Sequence, residues 1–210
     1  MASCKVEADG KFIVDSIHGD IHLKNRELEV VDTASFQRLR HLKQLAMSQM
    51  VYPNATHTRF AHSLGVLAIM AKASEVARDA NLIDAKQAEQ LRLAALLHDV
   101  GHYPYSHLME KIDRVSLTEE QIGGAVSLDK SRDCYPGHEI VGTYIIDQQS
   151  DLIKALGSTE VASAVIRLLG PRHPTIPAWS KLVHGSLEWI DWTTCCVTHR
   201  QQVFPMVRST

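Results

Sequence analysis

The sequence predicts a mainly all-α domain, a helical bundle preceded by a short extended or hairpin segment at the N-terminus. Three observations carry this prediction. From residue 33 onward, apolar residues recur at the three-and-four spacing of a helix face in successive segments. Short β-branched runs around a His-Gly turn occupy residues 12–31, FIVDSIHGDIHLKNRELEVV, before the chain turns helical. No internal repeat divides the 210 residues, a length that suits one sizeable core.

The elements follow in order. After the hairpin, TASFQRLRHLKQLAMSQM reads as a helix with Thr33 or Ser35 as its N-cap and with Phe36, Leu39, Leu42, Lys43 and Leu45 on or beside one face. Arg38, Arg40 and Lys43 leave a basic edge, and a solvated face is the expected role, for Arg38 above the other two. Pro53 and Asn54 make a turn. A long helix then starts near residues 57–60, with His62, Val66, Ile69 and Ala73 on one stripe and Arg59 one turn before His62. A third helix covers roughly residues 84–99. Residues 109–137 are weakly periodic and contain Gly123, Gly124, Pro136 and Gly137, so a lid or variable insertion is expected, with one short helix at 117–122. His138 opens the helix HEIVGTYIIDQQ, another helix spans about residues 158–169, and Pro171, Pro174 and Pro177 punctuate the approach to SKLVHGSLEWIDW.

Composition bounds the function. Apolar residues make up 45%, charged residues 22%, and the net charge is -2, which gives no global electrostatic reason to expect nucleic acid or a membrane as partner. Any anionic ligand must be held locally. Twelve histidines, several clustered between His57 and His138, point to metal or proton chemistry. No uninterrupted apolar run approaches the ~20 residues of a membrane span, and MASCKVEADGK lacks the layout of a signal peptide, so a cytoplasmic location is expected. Cys4, Cys134, Cys195 and Cys196 show no CxxC spacing, which favours reduced thiols.

The stretch LRLAALLHDVGHYPYSH, residues 91–107, is where the chain converges. Leu91, Ala94, Ala95 and His98 share a helical face, so His98 and Asp99 stand at the inner end of an apolar helix. Burying Asp99 unpaired costs several kcal/mol, roughly, and a cation bound jointly with imidazole is the usual remedy. Gly101 and Pro104 break the helix and throw His102 and His107 back toward the same end. His62, His98 and Asp99 then supply three imidazole and carboxylate ligands from two adjacent helices, a donor set that suits one divalent ion: Mn, Fe, Co, Ni, Zn or Mg.

These residues resemble the HD-domain phosphohydrolases, whose pattern is His, then His-Asp, then a distant Asp. More narrowly, the chain is similar to the deoxynucleoside triphosphate triphosphohydrolase (dGTPase-like) branch. The similarity rests on IHGDI at 17–21, FQRLRHLKQL at 36–45, YPNATHTRFAHSLGV at 52–66 and LLHDVGHYPYSH at 96–107. It implies an HD-domain helical bundle with His62, His98 and Asp99 as metal ligands. Arg59 and Gln44 would contact substrate, Arg59 as a bidentate phosphate clamp, and His102 and His107 would line the site. His138 corresponds to a histidine placed near the scissile phosphate as general acid. The implied reaction is attack of metal-activated water on the α-phosphorus of a dNTP, giving deoxynucleoside and triphosphate. For Gln44 and His107 a purely bracing role is an equal reading. An HD-type nucleotide phosphodiesterase and a catalytically dead nucleotide-binding module are the rival functions.

One segment departs from the pattern. The family's last ligand should follow a glycine-containing turn in a text close to L-[DE]-V-D-R-x-D-Y-L-x-R-D, and here HGSLE is followed by WIDWTTCCVTHRQQVFPMVRST. If Glu188 is encoded by GAG, regrouping the codons of the next residues by one base forces Val-Asp-Arg-Leu-Asp and allows Tyr-Leu-Leu-Arg-Asp after it. Residues 1–188 are therefore read as the N-terminal part of a longer family domain, and residues 189–210 as an aberrant, frameshifted tail. The remaining aspartate would have stood at Ile190. Asp191 is the candidate substitute, Glu188 a more distant one, but a one-residue shift on a helix turns a side chain by roughly 100°. Truncation of this kind would expose apolar helix faces and favour self-association, with a homo-oligomer as one form of it.

Overall fold

Residues 10–111 and 135–170 are described by the computed structural model. The predicted short helix at 117–122, the four cysteines, Glu188, Ile190 and Asp191 all lie outside the described residues. Two strands, β1 (Lys11–Asp15) and β2 (Gly19–Leu23), pair antiparallel with Lys11 opposite Leu23 and Asp15 opposite Gly19. The Asp15 carboxylate accepts the backbone N–H groups of Ile17 and His18, and Gly19 closes the turn at φ +73.

The extended segment is shorter than its sequence suggests, because NRELEVV forms helix α1 (Asn25–Val31). Glu27 accepts the Lys24 N–H and is also buried in a two-point ion pair with Arg92, Oε1 to Nε at 2.6 Å and Oε2 to a terminal nitrogen at 2.8 Å. That contact ties the start of the domain to its central helix. Thr33 caps α2 (Ala34–Gln37) as expected. The long helix predicted after it does not form. The chain passes through a 3-10 turn (Arg38–His41), extends at Leu42, and reaches a second 3-10 turn (Ala46–Met50). Main-chain pairing explains the break: Lys43 bridges Thr58, Gln44 N–H donates to the His57 carbonyl, and Arg59 N–H donates to the Leu42 carbonyl. These bonds to a segment about fifteen residues away replace helical ones.

Helix α3 (Arg59–Asp79) starts at its Thr58 cap, and α4 (Ala85–Leu97) starts at a reciprocal Asp84–Gln87 capping box. The two pack along each other. α3 is long and apolar enough to cross a membrane, but much of it is buried inside the fold, which accounts for its apolarity. After residue 134 come α5 (His138–Gln148), α6 (Ser150–Leu156) and α7 (Thr159–Leu169, capped by Ser158). α6 is an element that the sequence periodicity did not separate from its neighbours. α7 packs on α4 and α5, α6 on α1, and the core runs through Phe36, Leu39, Leu67, Leu91, Leu96, Ile146 and Leu152. Each such aliphatic side chain contributes about 1.5–3 kcal/mol on burial. The observed architecture is the helical bundle with an N-terminal hairpin that the sequence predicts.

Candidate functional site

The C-terminal end of α4 meets the N-terminal end of α3, and the site forms where they meet. His62 lies one turn into α3, while His98 caps α4 and Asp99 follows it. All three are buried, and one ligand atom from each lies within 4.8 Å of the others. The Nδ1 of His98 donates to the Ala95 carbonyl at 2.8 Å. A carbonyl can only accept, so Nδ1 carries the hydrogen and Nε2 is left to bind an ion. The Nε2 atoms of His62 and His98 are both buried without a hydrogen-bond partner. Two orphaned imidazole nitrogens facing one buried carboxylate fit a divalent cation, and the donor chemistry suits a transition ion.

Electrostatics favour the ligating forms. Burial pushes the His62 ring down to about 3, partly opposed by Asp99, so it is neutral and able to coordinate. For Asp99, burial acts upward, but His98, the hydrogen bond from His102, Arg59 and His62 outweigh it and hold the carboxyl well below its ordinary range.

Arg59 is placed differently from an open phosphate clamp. One terminal nitrogen lies 2.5 Å from Asp99 Oδ2 and the other donates to Ser106 Oγ at 2.6 Å, with the whole side chain buried. The buried carboxylate needs a countercharge, and Arg59 supplies it. Gln44 contributes its main-chain carbonyl to the same knot, accepting from Arg59 at 3.5 Å and Ser106 at 3.4 Å, while its side-chain Oε1 is buried without a partner.

A second cluster adjoins the first. His102 Nε2 lies 3.4 Å from Asp99 Oδ1, and burial brings the His102 ring down to about 4 despite that carboxylate. Its ring stacks on His138, centroids 3.8 Å apart and planes 11° apart, and His107 stands edge-on to both. Tyr105 and Ser106 are consecutive non-glycine residues with positive φ, +66 and +55. They turn the chain sharply enough to put Ser106 on Arg59 and His107 near His138. Gly101 permits the approach of α5, because a Cβ there would fall 2.1 Å from the His138 carbonyl oxygen and 2.2 Å from Gly142 N.

Sequence reasoning missed several participants. Glu110 accepts from His107 Nδ1 at 3.0 Å, and from the ring and the backbone N–H of His138 at 2.8 and 3.0 Å. Burial opposes its ionisation, but those hydrogen bonds outweigh it and bring the carboxyl to about 2. Its position three residues after His107, on one turn, was the available signal. Arg38, expected on a solvated face, instead donates to the carbonyls of Val100 at 2.6 Å and His102 at 2.9 Å. Arg40 is the exposed member, with its guanidinium 3.6 Å over the Phe60 ring, and Lys43 donates to the Thr56 carbonyl. Both ring nitrogens of His57 are buried without partners, and burial, Lys43 and Arg59 all lower that ring.

Comparison with known proteins gives a consistent picture. The HD domain family matches residues 59–186. An uncharacterized protein of Methanocaldococcus jannaschii is 50% identical over 100 residues, which cover 48% of this chain and 21% of that one. Deoxynucleoside triphosphate triphosphohydrolase SAMHD1 of Danio rerio is 40% identical over 103 residues, 48% of this chain and 17% of that protein. The matched segment thus spans about a fifth of the length of these relatives. Among solved structures, a hypothetical protein from Aquifex aeolicus has a TM-score of 0.56 at 30% identity, covering 76% of this chain and 37% of that chain.

Proposed function

The chain belongs to the HD domain family, and from that premise we propose that it descends from, and carries the central machinery of, a phosphohydrolase that converts a dNTP to deoxynucleoside and triphosphate. The observation that supports this most is the juxtaposition of two clusters: His62, His98 and Asp99 within 4.8 Å of one another, and His102, His107 and His138 beside them. The triphosphohydrolase branch is favoured by the SAMHD1 relatives, which are named for action on deoxynucleoside triphosphates.

His62, His98 and Asp99 would hold a divalent cation, which supplies Lewis acidity and a water acidic enough to attack phosphorus at neutral pH. The remaining chemistry belongs to the chain. Arg59 neutralises the buried Asp99 and fixes its orientation. His102, kept neutral by burial and held at Asp99, braces the ligating carboxylate from the other side. His138 and His107 each donate Nδ1–H to the shared, ionised Glu110, which holds both rings in place, and either can serve as the acid toward the leaving 5′ oxygen of the deoxynucleoside. In this reading His138 is the general acid, and Gln44 offers its side-chain amide to the substrate.

The remaining family carboxylate is proposed to be lost by a frameshift near residue 189, with Asp191 a poor substitute. The experiment compares this chain with a version whose reading frame is restored, assaying a panel of dNTPs and cyclic and linear nucleotides for triphosphate against monophosphate release, together with metal content. Triphosphate release by the restored chain supports the reading. Monophosphate release alone would move the chain to the phosphodiesterases, and nucleotide binding without turnover in both chains would make it a binding module. Equal activity of the two chains would sink the frameshift account. Self-association is read in the same preparations by light scattering; Met50, Val51 and Tyr52 are large exposed apolar side chains that favour it.

A further inference from the structure

An arginine that meets a carboxylate commonly uses two of its donors on it, one for each oxygen. The Glu27–Arg92 pair in this chain does so, Nε to Oε1 at 2.6 Å and Nη2 to Oε2 at 2.8 Å. The Arg59–Asp99 pair does not. Only Nη1 of Arg59 reaches the carboxylate, 2.5 Å from Oδ2, while Nη2 donates to Ser106 Oγ at 2.6 Å and Nε is buried without a partner. We propose that Ser106 is a positioning residue that sets the metal affinity of the His62–His98–Asp99 set: by holding one arm of Arg59 it withholds that arm from Asp99 and keeps Oδ1 open to an ion.

The surroundings of Oδ1 point the same way. His98 Nε2 lies 3.2 Å from it without a hydrogen bond, and because Nδ1 of that ring carries the hydrogen given to the Ala95 carbonyl, Nε2 presents a lone pair. Two acceptors aimed at each other in a buried site repel unless a cation lies between them. Their separation is close to the roughly 3.3 Å between two ligands of a tetrahedral ion at 2.0–2.1 Å. A second guanidinium arm on Oδ1 would compete for that place.

The backbone puts Ser106 where it can divide the fork. Tyr105 and Ser106 hold φ +66 and +55 in succession, which turns the chain back onto Arg59 and buries the Ser106 side chain. Having accepted from Arg59, the hydroxyl keeps its own hydrogen, and the carbonyls of Gln44 and Lys43 lie within its reach at 3.4 and 3.5 Å. Ser106 therefore acts on Asp99 through Arg59. The proposal rests on His62, His98 and Asp99 being the metal ligands, and not on dNTP hydrolysis.

The test titrates the full, chelator-stripped chain with Mn2+ by calorimetry, beside Ser106→Gly and Ser106→Ala. Glycine removes the hydroxyl and suits the positive φ, so the fold is kept, and the melting temperature checks this. Both substitutions should weaken Mn2+ binding about 10–100-fold, the usual effect of losing a group that orients a ligand. The discriminating readout is a double-mutant cycle with Arg59→Lys, which keeps a charge beside Asp99 but has no fork to divide. In that background Ser106→Gly should change the affinity by less than about twofold. Such a dependence supports the proposal whether or not triphosphate is released from any dNTP. Unchanged affinity in Ser106→Gly, or an equal loss with and without the Arg59 fork, would overturn it alone. No Mn2+ binding by the unsubstituted chain would overturn it together with the ligand assignment.

Discussion

The guanidinium of Arg59 lies 2.5 Å from the Asp99 carboxylate, and both side chains are almost wholly buried. A pair so placed gains little net stability when intact, because both ions have been desolvated, but removing one partner strands the other. Arg59→Ala in the metal-free protein should therefore lower stability by about 3–5 kcal/mol. Saturating divalent cation should recover part of the loss, since the ion then takes over the countercharge. Urea unfolding with chelator and with Mn2+ measures both quantities; a loss under about 1 kcal/mol, the scale of an exposed pair, would mean that Asp99 finds its neutralisation elsewhere.

Arg38 reaches across from the first 3-10 turn to the carbonyls of Val100 and His102, which flank Gly101. Hydrogen bonds from a charged donor contribute about 1.5–3 kcal/mol each when their loss leaves an acceptor unpaired. Arg38→Ala should accordingly cost about 3–6 kcal/mol by that measure, and it should weaken metal binding, because the loop it holds carries Asp99. Arg38→Lys, with one donor direction in place of a planar fork, should recover less than half. Thermal unfolding and metal titration of the two variants check this, and a metal affinity unchanged in Arg38→Ala would confine the residue to stability.

The difference between Arg59 and Arg38 explains what the sequence could convey. His62, His98 and Asp99 were legible because helix periodicity and motif spacing put them at one end of two helices, and the structure brings them together. Thr33 was legible as a cap because a cap acts over three residues, and the helix starts read near residues 84 and 158 fall at the caps Asp84 and Ser158. Arg38 was not, since its partners lie 62 and 64 residues away and its neighbours in sequence look like an ordinary basic helix edge. The break in the helix after Gln37 was hidden for the same reason: the bonds from Gln44 and Arg59 that impose it are tertiary. Local patterns carried the elements and the candidate ligands; the groups that aim those side chains depended on contacts between distant segments.

Gly101 marks the closest approach of α5 to the loop that carries Asp99. An alanine Cβ would meet the His138 carbonyl oxygen at 2.1 Å and Gly142 N at 2.2 Å, both backbone atoms that cannot swing aside. Overpacking of this kind costs about 1–3 kcal/mol or more, and here the strain is relieved only by moving α5 and His138 with it. Gly101→Ala should lower the melting temperature and separate the His102–His138 stack, visible as altered ring proton shifts of both histidines. Gly137→Ala is the control, because a Cβ added there would meet no atom within 4 Å among the described residues. Equal effects of the two substitutions would argue against the close approach.

The buried histidines also set how the metal-free protein responds to acid. In the folded state His62 takes a proton only near pH 3 and His102 only near pH 4, burial being the main cause in each. In the unfolded chain both titrate near about 6.5. Between these values the unfolded state binds more protons than the folded one, so stability is fully present above about pH 6.5 and is lost as pH falls. Each histidine should remove about 1.4 kcal/mol per pH unit below that point. The carboxylates of the unfolded chain titrate near about 3.9–4.3, so the interval from about pH 6.5 to 5 isolates the histidines. Urea unfolding in chelator at three pH values across that interval should show the slope, and His102→Gln should reduce it by about one histidine's share. A stability that stays level across that interval in the unsubstituted chain would mean that His62 and His102 are protonated in the folded state, and therefore not held as metal-ready neutral rings.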